Sequence, residues 1–116
     1  MSVTVAETAA FLRAREAARQ AALALQREHS QSLLPKAADR LREHGATRVV
    51  AFGSLIWGTT HEQSDVDLAV EGVSADAYWA ALGDLEDLFD CDVDLVRLET
   101  AHSGLCERIF RDGLVL

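Results

Sequence analysis

Apolar and polar positions alternate along this chain at two periods, and the changes between them mark its elements. Residues 5–29 are rich in Ala, Leu, Arg, Glu and Gln without Gly or Pro, the composition of a helix. Phe11, Ala14, Ala18, Ala21 and Leu25 recur on it at alternating spacings of three and four. That narrow face suits close packing against another helix, either from this chain's own core or from a partner subunit. A second helix is expected around Pro35 in its first turn, with Ser30 or Ser32 near its N-cap. Leu34, Ala38 and Leu41 would face inward, and Gly45 would fall just past the end.

Beyond Gly45 the period changes. Residues 47–52 (TRVVAF) read as a buried strand that ends at Gly53-Ser54, with a short helical turn after it. After a polar turn, residues 65–70 (DVDLAV) alternate charged and apolar positions at period two, so Asp65 and Asp67 project from the same face of a strand. Ser74 is placed to cap a helix running to about Phe89, with Tyr78, Leu82, Leu85 and Phe89 inward. Residues 93–98 (VDLVRL) form a third strand, a last helix spans about 103–111 and closes at Gly113, and GLVL ends the chain as a short strand. Helices and strands alternate, so the expected class is α/β with a small mixed sheet. The 116 residues read as one domain, with N-terminal helices over 1–45 and a core over 46–116.

Charge alters this picture more than composition does. The net charge of −8 is divided unevenly. Residues 1–48 carry eight Lys and Arg against five Asp and Glu, and residues 49–116 carry three against fourteen. So negative a surface disfavours direct nucleic-acid binding through a basic face, and phosphate chemistry on it would have to recruit cations. The apolar runs are too short for a membrane span and the N-terminus lacks the pattern of a signal peptide, so the protein is expected in the cytoplasm. Cys91 and Cys106 lack His neighbours at metal-ligand spacing and are read as packing residues.

The candidate chemistry lies in the acidic half. A glycine and a serine between strand and helical turn let a phosphate approach the backbone, although Gly53-Ser54 alone is also an ordinary turn. Asp65 and Asp67 stand about 6–7 Å apart along one strand face, near enough to share metal ions. No Lys or Arg occurs anywhere in residues 54–95. The alternative is a solvated strand face. Asp94, flanked by Val93 and Leu95, would supply a third carboxylate if its strand neighbours the Asp65 strand. Asp92 shares its parity but sits at the strand's entrance. Three such carboxylates suit two-metal phosphoryl transfer.

The run GSLIWGTTHEQSDVDLAV, with Gly-Ser, ten residues and then Asp-x-Asp, resembles the signature of the polymerase-β-like nucleotidyltransferase superfamily, and VDLVRL resembles its third-Asp strand. The likeness covers residues 49–98, and the ending LCERIFRDGLVL resembles the close of the minimal members. It implies that Gly53 and Ser54 hold the phosphates of ATP, and that Asp65, Asp67 and Asp94 bind Mg²⁺, as two ions. Because larger members add domains for the base and the acceptor, the short chain is similar to the MNT antitoxins of HEPN/MNT pairs. That implies transfer of AMP to a tyrosine of a cognate HEPN ribonuclease toxin. Two other readings stay open: an antitoxin that acts by binding alone, and an enzyme that modifies a small molecule such as an aminoglycoside with a partner subunit. Trp57 stands where many relatives carry Arg, and is read as packing on the sheet, with stacking on a ligand as the alternative. His61, in the turn before the Asp pair, is read as a solvated loop histidine, with contact to a phosphate as the alternative. A homodimer or hetero-oligomer through the N-terminal helix is the remaining expectation.

Overall fold

β-Branched and apolar residues from 48 to the C-terminal end build a four-stranded sheet, and helices on either side of it cover its faces. In the computed structural model, residues 4–57 and 66–116 are described, with the side chains of Ser54 and Trp57 excepted. The order is α1 (Val5–Ser32), α2 (Leu34–Glu43), β1 (Arg48–Phe52), α3 (Ser54–Trp57), β2 (Val66–Glu71), α4 (Ala75–Phe89), β3 (Val93–Arg97), α5 (Ser103–Asp112) and β4 (Leu114–Val115). The strands lie in the order β3-β2-β1-β4. β1 runs antiparallel to both β2 and β4, and β2 runs parallel to β3, so the sheet is mixed as the alternation of elements predicts.

The two faces of the sheet differ. Val49, Ala51, Val66, Leu68, Val70, Val93 and Leu95 point into the main core, where they meet Leu34, Ala38 and Leu41 of α2 and Ala81, Leu85 and Phe89 of α4. The opposite face contributes a smaller cluster, Val50, Phe52 and Ala69, under Ile109 of α5. Asp67 and Asp94 alternate with the main-core residues along β2 and β3 and therefore belong to this second, more thinly covered face. α2 and α4 are also tied by charge. Asp84 pairs with Arg40 and lies 3.3 Å from His44 Nε2.

Local signals account for most boundaries. Thr4 caps α1 in a reciprocal box with Glu7, and Ser74 caps α4 by accepting from Ala77 N at 3.2 Å. The cap expected from Ser30 or Ser32 is corrected: both lie in the last turn of α1, where Ser30 is buried and the Ser32 hydroxyl donates to the His29 carbonyl. Leu33, with helical φ −88° and ψ −8°, joins α1 to α2 without a side-chain cap. Pro35, which has no N–H to satisfy, takes up part of the need for one. On α4, Leu85 and Phe89 are buried as expected, Tyr78 and Leu82 are only half-buried, and Ala81 is fully enclosed. Cys91 packs against the main core, and the Cys106 thiol lies 3.8 Å from the carbonyls of Leu98 and Ala101.

α1 stands apart from this packing. At 28 residues it extends for about 42 Å, and the molecule measures 63 × 29 × 20 Å. Ser30 is its one buried residue, and the Phe11 to Leu25 face is exposed to solvent. Within this chain that face does not lie on the core. No helix among the described residues is long and apolar enough to cross a membrane.

Candidate active site

β1 and β2 run antiparallel with Phe52 opposite Asp67, so the chain leaving β1 turns directly beside that carboxylate. Gly53 makes the turn at φ +77°, a left-handed conformation open to glycine and strained for other residues. A Cβ added there would lie 2.1 Å from Asp67 Oδ2 and 2.8 Å from its Cγ. The missing side chain is thus the space in which the Asp67 carboxylate rests. Directly after Gly53 comes α3, whose Ile56 N donates to Gly53 O at 3.1 Å.

The parallel pairing of β2 with β3 sets Asp67 opposite Asp94. Register partners on neighbouring strands point to the same side of a sheet, and the strands are about 4.8 Å apart. Asp67 is half-buried and Asp94 is exposed, so the pair forms a step from the sheet towards solvent. Asp92 precedes β3 and is exposed, with its carbonyl accepting from Val66 N at 3.3 Å. The structure therefore places Gly53, Asp67 and Asp94 together. Asp65, His61 and the side chains of Ser54 and Trp57 lie outside the described residues.

Three neighbouring features escape a reading of the sequence. Tyr78 donates its hydroxyl to Leu95 O at 2.7 Å, which fastens α4 to the strand that carries Asp94. Burial, and then the charges of Asp94 and Glu86, raise its pKa above the ordinary phenol range. Arg97 Nε donates to Val73 O at 2.9 Å, so the first arginine after the acidic stretch is spent on the backbone. A cleft of about 380 Å³ opens beside β3, lined by Tyr78, Trp79, Leu95 and Arg97 among others, but by neither Asp67 nor Asp94. An inward-facing Tyr on α4 was the signal for the first of these. The second depends on how the loop after β2 folds back, and the third on how α4 packs beside β3 and the turn that follows it.

The donor chemistry fits a hard divalent cation. Carboxylate oxygens are the ligands that Mg²⁺ prefers. Two of them stand side by side on one sheet face, next to a cradle that a Cβ would fill.

Residues 36–116 match the family model described as polymerase beta, nucleotidyltransferase, which spans α2 to β4 and includes Gly53, Asp67 and Asp94. The chain belongs to the polymerase β nucleotidyltransferase family. Among curated proteins it is similar to the protein adenylyltransferase MntA of Shewanella oneidensis, with 39% identity over 70 residues, covering 56% of this chain and 49% of that protein. The chain thus matches about half the length of that relative. A solved toxin-antitoxin structure with AMP-PNP aligns at 32% identity and a TM-score of 0.60, covering 67% of each chain. A second, of a tri-AMPylated Shewanella oneidensis HEPN toxin in complex with an MNT antitoxin, aligns at 26% identity and a TM-score of 0.54, covering 80% of this chain and 70% of the other. In family terms, α2 to β4 form the nucleotidyltransferase core, and α1 precedes the matched region.

Proposed function

We propose that this protein transfers AMP from ATP to a hydroxyl group of a partner protein, a HEPN-type toxin, and acts as its antitoxin. The observation that carries this reading is the juxtaposition of the Gly53 turn with Asp67 and Asp94, which share one face of the sheet. The likeness to an adenylyltransferase and to a complex with an AMPylated toxin supports the choice of reaction and acceptor.

Asp65, Asp67 and Asp94 would hold Mg²⁺, and Gly53 with Ser54 would receive the phosphates of ATP. Bound there, Mg²⁺ would neutralise triphosphate charge and acidify the attacking hydroxyl. Gly53 gives the phosphates access to the backbone and leaves Asp67 its position. Asp94, on the exposed side of the pair, is open to an incoming acceptor. When the acceptor oxygen bonds to the α-phosphorus, the bond to the β-phosphate oxygen breaks and pyrophosphate leaves. Asp94 is placed to take the hydroxyl proton. The acceptor hydroxyl is that of a tyrosine. The acidic core residues would also suit docking against a basic nuclease surface.

Incubation of the protein with Mg²⁺, ATP labelled at the α-phosphate and the product of the neighbouring gene tests the proposal. Label on that product, absent with Asp67→Asn, is the expected result. A tight complex without label would replace the reading with inhibition by binding alone.

A further inference from the structure

α1 carries a pattern that the nucleotidyltransferase core does not use. Glu7, Phe11, Ala14, Ala18, Ala22, Leu25 and His29 follow one another at spacings of four, three, four, four, three and four, the same in either direction from Ala18. At 100° per residue all seven fall within about 40° of one line along the helix. All seven are exposed, with Phe11 at 65% and Leu25 at 67%. Leu23, Arg27 and Ser30, which are more enclosed, lie on the far half of the helix. α1 therefore turns its other side to its own chain, and this face is open along the whole length.

We propose that this face binds a second copy of the chain, with the two α1 helices antiparallel about a two-fold axis at Ala18. Three features select that occupant over an unrelated helix. The side-chain sizes are self-complementary: Phe11 of one copy meets Leu25 of the other, Ala14 meets Ala22, and Ala18 meets itself, so small residues let the helices approach in the middle while large ones close both ends. The polar ends are complementary too, a carboxylate acceptor facing an imidazole that can donate. Glu7 in the first turn of one copy meets His29 in the last turn of the other, at both ends of the pair. A parallel pair would instead set Glu7 against Glu7. The pairing also uses the whole helix, because Ala18 lies at the middle of Val5–Ser32, and the two cores then sit at opposite ends.

The footprint sets the strength. A helix about 42 Å long and 10–12 Å wide offers roughly 500 Å² per copy and about 1,000 Å² in all, at the lower bound of a specific interface. An interface of that size suits a weak, concentration-dependent dimer.

Sedimentation of the full chain from low micromolar to hundreds of micromolar is expected to show a monomer-dimer equilibrium. Ala18→Glu sets two like charges at the axis and should weaken the dimer at least about tenfold, with far-ultraviolet circular dichroism and the thermal midpoint of the core unchanged. Register is read by cross-linking. A mixture of Phe11→Cys and Leu25→Cys chains should form a disulfide-linked dimer, while neither variant alone does so at that position. A wild-type chain monomeric throughout, a dimer indifferent to Ala18→Glu, or linkage within either cysteine variant alone would each overturn the proposal. None of these readouts involves nucleotide transfer.

Discussion

Asp67 Oδ2 occupies the space that a Cβ on Gly53 would need, 2.1 Å from where that atom would be built. The glycine of the Gly-Ser turn and the second aspartate of Asp-x-Asp are thus a single packing unit. Gly53→Ala should displace the carboxylate and strain a backbone held at φ +77°. The expected cost is about 1 kcal/mol or somewhat more in stability, with a much larger fall in AMP transfer. Urea denaturation and a transfer assay on the same preparation separate the two effects.

The register of β2 against β3 distinguishes Asp94 from Asp92. Asp94 stands opposite Asp67, whereas Asp92 lies ahead of the strand. Asp94→Asn should lower the transfer rate about a hundredfold or more. Asp92→Asn should leave it within a few-fold of wild type. Initial rates of pyrophosphate release, with acceptor present, check both.

Leu85 holds α4 to the sheet and is fully buried in the main core. Leu85→Ala should cost about 2–5 kcal/mol. Because α4 also positions Tyr78 against Leu95, partial loss of activity should accompany it below the melting point. Thermal denaturation followed by circular dichroism gives the first quantity.

A small pH effect is expected from the turn after β2. Gly72 N donates to Glu99 Oε2 at 2.9 Å, and this bond holds the Glu99 carboxyl below its ordinary pKa. A group whose pKa is depressed in the folded state stabilises above the unfolded pKa and loses that contribution as pH falls through the folded one. Glu99→Gln should therefore flatten the acid side of the stability profile slightly, because the group is exposed and screened. Denaturation midpoints measured down through the carboxylate range test the sign.

Much of this was legible in the residues because period and punctuation agreed. Ser74 before an apolar helical run located α4, and the alternation in DVDLAV set Asp67 on the face opposite Leu68. Strand neighbours were not legible. That Asp94 stands across from Asp67 depends on β2 and β3 being adjacent and parallel, a contact between residues far apart in sequence. The N-cap of α2 misled for a local reason: Ser30 and Ser32 look like caps, but Leu33 continues the helical backbone and leaves them inside α1. The face of α1 was visible in the sequence, and the structure adds that nothing in its own chain covers Phe11 and Leu25 among the described residues.

Transfer of AMP to a protein hydroxyl by the carboxylates beside Gly53 is read out by intact-mass measurement of the neighbouring gene's product after incubation with ATP, Mg²⁺ and this protein. The expected result is an increase by whole AMP units with wild type and none with Asp67→Asn or Asp94→Asn. An unchanged mass with wild type, or AMP addition that persists in both variants, would contradict it.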